Sequence, residues 1–166
     1  MPLTLDHEIL TKEGWKKYED IKRIKPGPDG KPVGENDELV CLDITDSSIV
    51  IEKFIGDVYL SKNDRVVYTI KNDKIDTSIQ EDTLLIYKFN LEDDIKINTL
   101  VRIIYNMNVN KLDKFYLLTD SSNINYIEIN INELVRNIIN TDMFSFITNK
   151  QTFYIRKNNL EFWTSS

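Results

Sequence analysis

At 166 residues with 41% hydrophobic side chains, the chain can bury one sizeable core and is expected to form a single domain over residues 1–166. A net charge of −6, a pI near 4.9 and scattered basic residues leave no concentrated basic face, so nucleic-acid binding is not expected. The single cysteine, Cys41, excludes an intrachain disulfide framework. No apolar run approaches the roughly 18 residues of a membrane helix and no signal-peptide pattern opens the chain, so an intracellular location is expected and no membrane partner.

The opening stretch reads as a β-hairpin. Glu8 to Thr11 is a short strand, Lys12-Glu13-Gly14 a tight turn, and Trp15 starts the return strand, which Tyr18 to Ile21 closes. Residues 25–36 then hold all but one of the prolines and three of the five glycines, which neither helix nor sheet tolerates, so this is a surface loop. Strands are expected at Leu39 to Ile44 and Ile49 to Phe54, with the turn formers Thr45-Asp46-Ser47-Ser48 between them. Cys41 lies on the first and reads as a small buried hydrophobe.

Further strands are expected at Asp57 to Leu60, Arg65 to Lys71 and Thr83 to Phe89, with polar breaks at Ser61 to Asp64 and Asn72 to Lys74. Residues 92–140 look like a partly helical insertion. One capped helix could run from Glu92-Asp93-Asp94 towards Ile104, and a second over Asn130 to Asn140, where Leu134, Val135, Ile138 and Ile139 share a helical face. The acidic triplet reads as a solvated first turn rather than a cation site, so no metal or cofactor is expected. The end returns to strands at Met143 to Ile147, Thr152 to Arg156 and Leu160 to Trp163, the last two joined by an asparagine turn at Lys157-Asn158-Asn159. Short strands with frequent turns make the fold mainly β, with one or two short helices.

Three stretches, in order, resemble the Hint domains of inteins, in particular those of large DNA viruses and algae. The opening Leu3-Thr4-Leu5-Asp6-His7 running into Ile9-Leu10-Thr11-Lys12-Glu13-Gly14-Trp15 is similar to the family's first block, Cys-Leu-Thr-x-Asp-His followed by hydrophobic-Leu-Thr-x-x-Gly-Trp. Tyr68 to Asn72, through Ile75-Asp76 to Leu84-Leu85-Ile86-Tyr87, resembles the block that carries Thr-x-x-His. Gln151 to Thr164 resembles the closing Thr-Phe-Tyr-Val-Arg-Arg-Asn-Gly-x-x-x-Trp-Thr-Gly-Asn-Ser. Leu117 to Ser122 is similar to a family segment near its insertion point. The resemblance implies a horseshoe-shaped β-sandwich of bent hairpins with its two ends close together, which would make Pro2 and Ser166 neighbours.

Hint chemistry uses a first-residue thiol or hydroxyl to attack the preceding carbonyl, Thr-x-x-His to polarise and protonate that bond, and a terminal asparagine, assisted by histidine, to release the downstream segment. The resemblance places Pro2 where the nucleophile belongs, Gln80-Glu81-Asp82-Thr83 in the Thr-x-x-His slot, and Ser165-Ser166 where Gly-Asn-Ser should close the chain. Pro2, Thr4, His7, Gln80, Thr83, Ser165 and Ser166 are therefore remnant positions, none of the catalytic set is intact, and the chain is expected not to splice. Three readings follow: a naturally degenerate autoprocessing element, a structural or interaction module with protein partners in a virion or host cytoplasm, or an engineered inactive element or the C-terminal part of a split one. In the last, Thr4-Leu5-Asp6-His7 is itself the Thr-x-x-His pair and the nucleophile sits on another chain. His7 otherwise reads as a hydrogen-bonded structural histidine at a strand start.

Overall fold

Sixteen strands and one α-helix make up the computed structural model, which describes residues 3–120, 124–158 and 160–165. The first strand, β1 (Leu3–Thr4), leads into the hairpin β2 (Glu8–Thr11) and β3 (Gly14–Lys17), closed as expected by Gly14 at φ 116°. A single 3-10 turn at Tyr18–Asp20 follows. The Pro/Gly-rich stretch carries only a small exposed ribbon, β4 (Lys25–Pro26) with β5 (Pro32–Val33). Next come the paired β6 (Glu38–Asp43) and β7 (Ser48–Lys53), in the expected places.

The largest departure from expectation lies in the middle. β8 (Gly56–Lys71) runs unbroken for sixteen residues, straight through Ser61 to Asp64. Its partner is β14 (Leu134–Ile147), so the helix expected over Asn130 to Asn140 is a strand preceded by a 3-10 turn at Ile131–Glu133. β-branched Val135, Ile138, Ile139 and Thr141 favour extended backbone, and the long partner strand supplies the hydrogen bonds. β9 (Asp76–Gln80), β10 (Leu84–Lys88) and β11 (Lys96–Thr99) precede the helix α1 (Leu100–Val109). That helix starts after Thr99, whose hydroxyl caps the Arg102 N–H, and not at the acidic triplet. β12 (Lys114–Thr119) and β13 (Asn125–Asn130) form a hairpin, and β15 (Thr152–Lys157) with β16 (Leu160–Ser165) forms the closing one, turned by Asn158 at φ 53°.

All pairings are antiparallel. One sheet has the order β1-β14-β8-β9. The other runs β13-β12-β10-β16-β15-β2-β6-β7, with β11 on β10 and β3 on β2. Alternate residues of the closing hairpin bury into two separate clusters: Phe153, Ile155 and Phe162 into the main core, Tyr154 and Trp163 into a second one with Val40, Leu42, Ile86 and Leu118. β15 and β16 are thus covered on both faces, which makes them the centre of the molecule. Rings of Tyr18, Phe54, Phe144, Phe146 and Phe153 stack at the seam between the sheets, with Tyr18–Phe144 centroids 4.6 Å apart and Phe54–Phe146 4.8 Å. Cys41 is fully buried as expected, and burial pushes its thiol up to about 12.

Candidate functional site

The slots assigned to catalysis divide into two groups along β15. At one end, the turn between β9 and β10 presents Gln80 and Thr83, both buried. Gln80 Oε1 accepts the Asp82 N–H at 2.7 Å and its carbonyl accepts the Thr83 N–H at 3.1 Å, so the carboxamide is spent on its own turn. Leu84 then pairs with Ser165, and Thr164 Oγ1 donates to the Leu84 carbonyl at 2.7 Å. Ser165 Oγ donates to the Gln151 carbonyl at 2.8 Å. The fold therefore brings the Gln80–Thr83 turn to the C-terminal strand. Pro2 and Ser166 lie outside the described residues, as do Ser121 and Ser122.

At the other end sit Thr4 and His7. Glu8 pairs with Arg156 while Ser165 pairs with Thr152, so their partners on β15 are four residues apart. His7 is fully buried against the edge of the Phe162 ring, with centroids 6.4 Å apart. Its Nδ1 lies 3.0 Å from the Thr4 carbonyl and 3.1 Å from Thr4 Oγ1. A carbonyl only accepts, so the hydrogen-bond network assigns the ring proton to Nδ1. Nε2 is then a bare, buried lone pair without a partner among the described residues. Burial, reinforced by the nearby Lys157 ammonium, lowers the His7 pKa to about 4 against the opposing pull of Asp6 and the Thr4 carbonyl. A neutral imidazole in this state has no acidic proton to give a leaving amide at neutral pH.

Lys157 was not singled out from sequence, yet it organises this cluster. Only 6% exposed, its ammonium lies 3.1 Å from Asp6 Oδ2, 2.8 Å from Ser78 Oγ and 3.5 Å from Thr4 Oγ1. It fastens the N-terminal strand to β9 from the end of β15. Thr4 Oγ1 donates to Asp6, whose pKa falls: desolvation raises it, but the Thr4 hydroxyl and Lys157 outweigh that. One sequence signal marks this lysine. In Thr152 to Lys157 it shares strand parity with the core residues Phe153 and Ile155, which turns it inward. The literal Thr-x-x-His of Thr4 to His7 is thus assembled, in a hydrogen-bonded cluster with Asp6 and Lys157.

Among the described residues no group of three or more His, Cys, Asp or Glu side chains is placed to hold a metal. Glu92, Asp93 and Asp94 lie in an exposed turn before β11.

No family model matches the chain, and no curated protein matches it. Solved structures do. A splice-inactive variant of the AceL NrdHF class 3 split intein superposes with a TM-score of 0.64 at 12% identity, over 99% of this chain and 97% of that one. The KlbA intein precursor from Methanococcus jannaschii gives 0.63 at 13% identity, over 100% and 91%. An intein from a hyperthermophile gives 0.60 at 10% identity, over the whole of both chains. The chain has the intein, or Hint, fold from end to end.

Proposed function

We propose that this chain is an intein-type Hint domain, of the kind carried by large DNA viruses and algae, whose self-splicing chemistry has been lost. The observation that carries the reading is the Gln80–Thr83 turn. It sits against the C-terminal strand, where the family's Thr-x-x-His belongs, but holds a self-satisfied carboxamide and a threonine in place of hydroxyl and imidazole. The lone histidine has its Nδ1 proton engaged by the Thr4 carbonyl. Pro2 adds to this, having neither a nucleophilic side-chain atom nor a backbone N–H. Losing one general acid or base costs roughly 10²–10⁴-fold in rate, and losing the nucleophile closes the path altogether.

A scaffold retained without its reaction serves through its surfaces. The partner is a protein: the net charge of −6 opposes nucleic acid, and among the described residues no helix is long and apolar enough to cross a membrane. An intracellular setting, in a virion or host cytoplasm, fits the free buried thiol of Cys41. The reading is tested by restoration between two flanking reporter segments, followed by intact mass. Pro2→Cys with Gln80→Thr, Thr83→His and a Gly-Asn inserted before Ser166 is expected to yield cleaved product while the unchanged chain stays whole. Equal cleavage by both chains, or by neither, would overturn the slot assignment.

A further inference from the structure

The β8–β14 ribbon has an unused edge. β14 pairs with β8 along its length, but its other side is covered by β1 only at Met143 and Phe144. Among the described residues no strand pairs with the outer side of residues 134–142, and this stretch stands in solvent: Val135 is 57% and Ile138 61% exposed. A row of unpaired N–H and C=O groups is a template for another strand unless something blunts it. The β8 edge is blunted by Lys62, Asp64 and Arg65. The β14 edge carries no charge from Asn137 to Thr141.

We propose that the free edge of β14 joins the same edge of a second copy, extending the four-stranded sheet across a two-fold axis at Ile138. The occupant follows from complementarity. Ile138 is the midpoint of residues 134–142, so antiparallel self-pairing about it sets Ile138 on Ile138, Asn137 on Ile139, Arg136 on Asn140, Val135 on Thr141 and Leu134 on Asp142. No like charges meet, and the two exposed isoleucines cover each other. Such an isologous contact closes on itself and stops at a dimer. Nine paired residues form a contact smaller than the roughly 1,600 Å² of a standard stable interface, the class of weak, reversible association. The inference rests on the ribbon alone and not on the loss of splicing.

Sedimentation velocity of the full chain, from micromolar to millimolar concentration, is expected to show a monomer–dimer equilibrium. Ile138→Lys, which puts two ammonium groups on the axis, should weaken it by about tenfold or more. Ile51→Lys, on the exposed edge strand β7, should leave it unchanged; both sites are solvent-exposed, and near-ultraviolet circular dichroism verifies that both variants are folded. Opposed strand residues have Cα atoms about 4.5–5.5 Å apart, inside disulfide range, so Ile138→Cys is expected to cross-link under mild oxidation and Lys62→Cys is not. Fully buried Cys41 does not compete. A monomer at every concentration, a dimer that survives Ile138→Lys, or equal cross-linking through Lys62→Cys would overturn the proposal.

Discussion

His7 stands in a family motif in sequence and in a closed hydrogen-bonded cluster in space. Its ring is walled in by Phe162 and Thr4, with Asp6 and Lys157 as the charged groups that face it. Folding lowers its pKa from 6.5 to about 4, so the unfolded chain takes up the proton more readily. Its contribution to stability is complete above pH 6.5 and declines as the pH falls toward 4, by about 3 kcal/mol in total. Urea midpoints across that window should fall more steeply for the unchanged chain than for His7→Gln, and parallel curves would remove His7 from the account. Lys157 behaves differently because Asp6 is open to solvent and can regain water. Lys157→Met, which keeps the buried stem, should alter stability by no more than about 1 kcal/mol, whereas Lys157→Glu, burying a carboxylate beside Asp6, should cost about 3 kcal/mol or more in the same titration.

At the scale of elements, Thr152 joins two strands that no backbone ladder connects. Its Oγ1 accepts the Leu42 N–H and donates to the Leu42 carbonyl, each at 2.7 Å, tying β15 to β6 inside the core. Thr152→Val preserves the shape but strands a buried donor and acceptor, so denaturant unfolding should show a loss of about 2–4 kcal/mol. A change below about 0.5 kcal/mol would mean that the pair finds other partners.

Hairpins of apolar strands closed by turn-forming residues were legible from residues alone. The β2–β3 and β6–β7 hairpins, and the β15–β16 hairpin with Asn158 in its turn, all lie where alternation and turn chemistry place them. The β8–β14 ribbon was not legible, because long stretches of it are exposed on both faces and leave no alternation to read. Ser61 to Asp64 then passed for a turn, and Leu134, Val135, Ile138 and Ile139 for a helical stripe. β11, β12 and β13 also went unrecognised beside α1: β11 and β12 pair with β10, and β13 pairs with β12.

For the molecule as a whole, the fold carries more information than the family's chemical residues. Two sheets, stitched at the Tyr18–Phe144–Phe146 aromatic seam and at the doubly buried closing hairpin, reproduce the intein fold at 10–13% identity. The candidate site was legible only as a set of slots. Sequence order singled out Gln80, Thr83 and Ser165 as slots, but not the local Gln80 self-capping, nor the Lys157 cluster, which depends on long-range packing between β9, β15 and the N-terminal strand. In the proposed reading, Pro2 offers no group able to form an ester with the residue before it. Hydroxylamine traps any such ester irreversibly. The full chain, carried between flanking segments and incubated with hydroxylamine, should keep its intact mass with no hydroxamate; an upstream fragment ending in a hydroxamate at the residue before Pro2 would contradict the account.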